Sequence, residues 1–246
     1  MELTRRDLFK IGGKMLVLAS VGATLDQITG AAPPSEAYKA AEHWWGMIID
    51  IDKCIGCGNC VRACSKENNV PDGYFRTWVE RYTVEEGKQP HVESPKGAIE
   101  GFPPLPTIDA KAFFVPKLCN HCANSPCVQV CPVGATFVSP DGVVLVDETY
   151  CLGCRYCVQA CPYGARLFNE EQGVSDKCNW CYHRITKGMQ PACVEVCPVN
   201  ARIFGDRMDK ESPISLFIRN NRVQVLKADT GNAPNVFYVG IDKEVA

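Results

Sequence analysis

The sequence predicts an α+β fold in which a β-α-β unit recurs with pseudo-two-fold symmetry, extended by an insertion and a C-terminal arm. Three observations lead there. Sixteen of the 246 residues are cysteine, and they fall into four groups of four. Three groups end in related runs, "CPVGATF" (131–137), "CPYGARLF" (161–168) and "CPVNARIF" (197–204), each with alanine four residues past the last cysteine. Apolar stretches lead into two groups, "GMIIDIDKC" (46–54) and "GVVLVDETYC" (142–151). Such regularity means one supersecondary unit used several times.

Each element of the unit follows from its residues. The entering stretch is rich in Val and Ile and reads as a strand. The cysteine loop then runs into a short helix, which the following proline cannot extend. The Gly or Asn two residues beyond that proline suits a turn with positive φ, and a short apolar strand follows. Group one departs from the pattern: Ser65 follows Cys64, then polar "KENN". Its helix is expected to run on into an insertion, 65–118, which holds seven prolines. There "YFRTWVERYTV" (74–84) reads as extended, with Tyr74, Trp78 and Tyr82 on one side. These aromatics read as a docking arm, or else as core filling.

The groups are Cys54, Cys57, Cys60, Cys64; Cys119, Cys122, Cys127, Cys131; Cys151, Cys154, Cys157, Cys161; and Cys178, Cys181, Cys193, Cys197. Disulfides suit this pattern poorly, because cysteines two residues apart bridge badly and the chain is long enough to bury a core. Zinc takes paired C-x2-C knuckles and has no use for a third close cysteine. The run C-x2-C-x2-C-x3-C-P is the bacterial ferredoxin signature, whose fourth cysteine serves the other cluster of a pair. Sixteen thiolates then hold four [4Fe-4S] clusters. By the swapped fourth ligand, Cys119, Cys122, Cys127 and Cys161 hold one cluster, and Cys151, Cys154, Cys157 and Cys131 its partner. Groups one and four would form the outer pair: Cys54, Cys57, Cys60 with Cys197, and Cys178, Cys181, Cys193 with Cys64. Spacing alone leaves a pairing of groups three and four open.

Lys53 and Lys177 directly precede groups one and four, and Lys117 lies two before group two. They read either as cations that raise cluster potentials or as solvated surface. His121 and His183, inside groups two and four, read as polar positions and not ligands. The amino terminus, "TRRDLFK" (4–10) followed by the mildly apolar 11–25, resembles a twin-arginine export signal with its Phe-Leu order inverted. A net charge of −2 suggests no nucleic acid.

The expected organisation is a signal over 1–32, cleaved or retained as a membrane-tethering helix, and a four-cluster ferredoxin-like domain over 46–206. Within that domain lie the 65–118 arm and an inner two-cluster unit, 119–168. A partner-binding arm occupies 207–246. No nucleophile–base pair, Rossmann fingerprint or P-loop is present, so no catalytic residue is expected.

The four groups, "CNWCYHRITKGMQPACVEVCP" (178–198) and "LKADTGNAPNVFYV" (226–239) resemble the four-cluster ferredoxin subunits of membrane redox complexes. These are the NrfC, polysulfide reductase B and dimethyl sulfoxide reductase B family. Within it the pattern is most similar to the DsrO-type subunits of sulfite-reduction-associated transmembrane complexes. The resemblance implies the outer pairing above and an electron-transfer role in anaerobic respiration. It also implies an NrfD-like multi-span quinone-binding membrane subunit as one partner. A cytochrome c, molybdopterin or sulfur-metabolism module would be the other. The expected location is periplasmic, at the outer face of the cytoplasmic membrane. The competing expectation is an independent extracytoplasmic ferredoxin shuttle.

Overall fold

The computed structural model describes residues 38–85, 87–105, 111–241 and 245, so the expected signal at 1–32 lies outside the described residues. Lys39–Ala246 form one compact unit. β1 (Trp45–Asp50) enters group one, whose last two cysteines ride on α1 (Asn59–Glu67). As the polar exit of this group predicts, the helix runs past Cys64. Next come β2 (Thr77–Val84), β3 (His91–Glu93) and β4 (Lys111–Leu118), which enters group two. Group two contains α2 (Pro126–Gln129), followed by the hairpin of β5 (Thr136–Val138) and β6 (Val144–Val146). Group three contains α3 (Tyr156–Ala160), followed by β7 (Arg166–Asn169) and β8 (Val174–Lys177). Group four contains α4 (Tyr182–Ile185) and α5 (Ala192–Glu195), then β9 (Arg202–Asp206), α6 (Pro213–Asn220) and β10 (Val236–Val239). The mixture of small sheets and short helices is that of tandem ferredoxin-like units.

One rule organises the strands. The strand leaving each cysteine group pairs antiparallel with the strand entering the next: β2 with β4, β5 with β6, β7 with β8, and β9 back to β1. The turns that launch three of these strands have the predicted backbone, with Gly134, Gly164 and Asn200 at φ of 67°, 62° and 50°. The alanines that follow, Ala135, Ala165 and Ala201, are buried. β1 lies between β9 and β10 and is buried from Gly46 to Asp50, so its sequence runs apolar without alternating.

Two expectations change. Residues 65–118, read as a docking arm or else as core filling, follow the second reading and supply the hairpin that this position of the repeat requires. β2 and β4 pair over eight residues, from Thr77 opposite Leu118 to Val84 opposite Lys111. Both faces of the hairpin join the main core, Val79 on one and Tyr82 and Val115 on the other, and Tyr82 stacks on Phe113 at 5.4 Å. Trp78 is half-buried, its indole N–H donating to Glu80 at 2.7 Å, and Tyr74 precedes the strand. The enlarged hairpin brings its own apolar residues, so the core has room for Tyr82. Residues 207–246 were likewise expected as an arm. Instead β10 pairs parallel with β1, Val236 and Tyr238 are fully buried, and the Tyr238 hydroxyl donates to the Pro116 carbonyl at 3.1 Å.

Candidate metal centres

The cysteine loops gather thiols from distant parts of the chain. Cys54, Cys57, Cys60 and Cys197 line one small pocket, and Cys119, Cys122, Cys127 and Cys161 line another. Cys64 lies among Cys178, Cys193 and Cys181, close enough for thiolate charges to repel. The Asn68 amide donates to both Cys64 and Cys181 sulfurs at 3.6 Å. Cys131, Cys151, Cys154 and Cys157 are the four left over: Cys154 is exposed and Cys157 buried, and Ser175 links two of them, its N–H donating to Cys151 sulfur at 3.5 Å and its hydroxyl accepting from the Cys157 thiol at 3.2 Å. Each of the first three sets combines thiols of two groups, one with four and two with three.

The sets follow one another in a row. Cys193 of the second set lies beside Cys60 of the first, and Cys178 of the second beside Cys119 of the third. Cys127 of the third set and Cys157 of the fourth share a small apolar cluster with Val144. Between the second and third sets, His121 and Trp180 stack at 3.9 Å, both fully buried. Each is the third residue of a C-x2-C loop and adopts positive φ, 43° and 53°.

The electrostatics fit an anion-compensating metal group. Burial pushes the Cys54 and Cys193 thiols up to about 11 and Cys122 up to about 12. Four thiolates would therefore not share these cavities without metal. Cys131 runs the other way. Desolvation raises it, but the backbone N–H groups of Thr136, Val133, Ala135 and Gly134 together pull it below the ordinary thiol range. The N–H of Ala201 makes the same kind of bond to Cys197 sulfur, at 3.3 Å. Such N–H···S bonds favour the thiolate that a metal requires.

Among the described residues, no three Cys, His, Asp or Glu side chains are arranged to hold a single metal ion. Tetrahedral zinc at about 2.3 Å from each sulfur would need sulfurs about 3.8 Å apart. A four-iron cluster takes one thiolate per iron, four in all, which is the number that each of the first three sets supplies.

The other residues singled out in the sequence separate. Lys53 is half-exposed and paired with Asp50 at 2.8 Å, so it is a surface residue. Lys117 is largely buried but neutralised by Glu80 at 2.7 Å. Lys177 is 3% exposed and donates to the carbonyls of Val144 and of Cys178, the latter at 2.7 Å. His121 accepts the Val144 N–H on Nδ1 at 3.1 Å, and burial together with Lys177 and Arg166 holds its ring well below the usual imidazole range. His183 is half-exposed and bonds Glu67 at 2.7 Å.

Sequence reading missed Arg166 and Arg202, which are 6% and 3% exposed. Burial works against both charges, but the thiolates around them, Cys127 and Cys157 for Arg166, Cys60 and Cys193 for Arg202, raise both above the ordinary guanidinium value. The signal was present: an arginine directly follows the repeat alanine in "CPYGAR" and "CPVNAR".

The comparisons agree with this geometry. The 4Fe-4S dicluster domain matches at residues 53–135 and again at 110–207. The chain is 42% identical to a tetrathionate reductase subunit of Salmonella typhimurium over 93% of its length and 86% of the relative's. It is 45% identical to the corresponding tetrathionate reductase subunit of Archaeoglobus fulgidus, covering 79% of this chain and 81% of that one. Identity to a putative dimethyl sulfoxide reductase iron-sulfur subunit of Halobacterium salinarum is 40%, over 79% and 78%. Two dicluster domains and sixteen cysteines give four [4Fe-4S] clusters. On its cysteine cages and these relatives alike, the chain belongs to the 4Fe-4S dicluster family of iron–sulfur reductase subunits.

Proposed function

We propose that the chain is the electron-transfer subunit of a membrane-bound respiratory oxidoreductase, non-catalytic itself. Electrons would pass between an NrfD-like quinone-reactive membrane subunit and a second redox subunit, of molybdopterin, haem or sulfur-metabolism type. The ligand sets are the four cages in order: Cys54, Cys57, Cys60, Cys197; Cys64, Cys178, Cys181, Cys193; Cys119, Cys122, Cys127, Cys161; and Cys131, Cys151, Cys154, Cys157. The bound clusters supply one-electron transfer. The residues hold the row in place, keep water from its middle and leave its ends accessible.

One observation carries this reading. All four cysteines of the second cage are buried, as are three of the third, whereas the first and last cages open toward solvent. Leu152, Tyr150 and Tyr156 crowd the open end by the last cage at 68%, 66% and 58% exposure, and Ile55 stands exposed beside the first. A row with a sealed middle and two open ends suits a conduit between two partners. A shuttle needs only one docking face. The relatives are named for tetrathionate and dimethyl sulfoxide reductases. Together with the DsrO-type resemblance, these names favour a complex of sulfur-compound respiration. Export by the twin-arginine route, to the outer face of the cytoplasmic membrane, completes the proposal. Among the described residues no helix is long and apolar enough to cross a membrane, which is compatible with peripheral attachment.

The test is mild-detergent purification of the tagged chain from its native membranes, with mass spectrometry of what accompanies it. A multi-span subunit and a large redox subunit are expected. Recovery of the chain alone from the soluble fraction would sink the bound-subunit reading in favour of the shuttle.

A further inference from the structure

Three buried cations stand in the row, and each stands at a junction. Arg202 lies between the first and second cages: its Nη2 donates to Cys60 sulfur at 3.4 Å, and Cys193 of the second cage is within its electrostatic reach. Burial, with Arg166 opposite, holds the Lys177 ammonium below its ordinary range, while Cys178 of the second cage and Cys119 and Cys127 of the third flank it and favour its charge. Arg166 faces Cys127 and Cys119 of the third cage and Cys157 of the fourth.

The placement follows the repeat. Thr77, Thr136, Arg166 and Arg202 each begin the strand that leaves a cysteine group. In each half the arginine bonds the threonine: Arg202 to Thr77 Oγ1 at 2.8 Å, and Arg166 to Thr136 Oγ1 at 3.3 Å. Lys177 lies directly opposite Arg166 in the β7–β8 ladder.

A protein does not ordinarily bury like charges face to face. Among the described residues no carboxylate forms an ion pair with any of the three. Arg202 Nη1 and Arg166 Nε and Nη2 are buried donors that reach no oxygen acceptor. Among the described residues, the thiolates of the cages are the negative groups that act most strongly on all three.

Reduction adds one more negative charge to a cluster, and burial makes that addition costly. The two inner cages are the more buried, and each is flanked by two of the cations. Each end cage is flanked by one. Resting on the four-cage reading above, we propose that Arg202, Lys177 and Arg166 are the fixed positive charges that offset burial and level the reduction potentials along the row, one at each junction.

The test is EPR-monitored redox titration of the intact, anaerobically purified chain, with signals assigned to cages by single Cys→Ser variants. Arg202→Gln should lower the potentials of the first and second clusters, Lys177→Gln the second and third, and Arg166→Gln the third and fourth. Each flanking cluster should lose about tenfold in its reduction equilibrium, about 59 mV for one electron, with smaller changes at the others. Arg202→Lys, Arg166→Lys and Lys177→Arg keep the charge and should restore most of the shift. Potentials that stay put, that shift equally in all four clusters, or that move as much in the charge-keeping variants would overturn the proposal.

If a Gln variant loses iron, Thr77→Val and Thr136→Val loosen the arginine heads without removing charge. They should move only the first-and-second and the third-and-fourth pairs, respectively, and any other pattern counts against the proposal. Wild-type iron well below about sixteen per chain would instead defeat the four-cage reading itself.

Discussion

Replacing Cys161 with serine asks which cage the last cysteine of "CLGCRYCVQAC" serves. In the structure it lines the cavity of Cys119, Cys122 and Cys127, although it follows Cys151, Cys154 and Cys157 in sequence. Four [4Fe-4S] clusters bring about sixteen irons per chain, so losing one cluster leaves about twelve, or about fifteen if a three-iron cluster persists. Burial, with neighbouring thiolates adding to it, pushes the freed Cys122 thiol up to about 12. The emptied cage would therefore hold neutral thiols near pH 7, and the fold is expected to survive. The decisive step is counting in double variants. Cys161→Ser with Cys122→Ser strikes one cage twice and should leave iron near twelve. Cys161→Ser with Cys154→Ser strikes two cages and should leave about eight. Colorimetric iron and sulfide, with EPR of the reduced protein, read both. The reverse pattern, eight for the first pair and twelve for the second, would refute the swapped-ligand reasoning.

Three further outcomes are expected. Gly153→Ala puts a Cβ 2.5 Å from the Gly173 carbonyl at a φ of +66°, whereas Gly164→Ala meets nothing within 4 Å at +62°. Both bear the left-handed penalty of roughly 1–2 kcal/mol. Gly153→Ala alone adds a backbone clash, so it should show the larger drop in denaturation midpoint under anaerobic conditions and should loosen the last cluster. Asp206 is raised by desolvation, but the N–H groups of Trp44 and Met208 and the His43 ring more than reverse this, so its folded pKa lies below the unfolded one. The stability it contributes is present above about pH 4 and is lost as pH falls through the carboxylate range. Urea midpoints should therefore drop more steeply from pH 5.5 to 3.5 in the wild type than in Asp206→Asn. Arg5→Lys with Arg6→Lys should strand the cluster-loaded chain in the cytoplasm, which cell fractionation would show; unchanged export would remove the twin-arginine route.

Local chemistry was the legible part. Cysteine spacing, the proline after each group and the Gly134, Gly164 and Asn200 turns act within a few residues. Sequence therefore determined the cluster type, their number, the recurring strand–loop–helix–strand unit and the continuation of α1 past Cys64. Other features depend on contacts between residues far apart in the chain, whose cost and reward no local pattern records. Cys197 reaches Cys54, and Cys64 reaches Cys178, only because β9 closes onto β1. Tyr82 and Tyr238 are interior because the β2–β4 hairpin and β10 bring them there, which is why both segments read as arms. Arg166 and Arg202 looked like ordinary charges, and Lys177 read equally as a cluster cation or as solvated surface, since a cation's meaning depends on what surrounds it. Tertiary structure decided that the surroundings are thiolates on two sides and water on none.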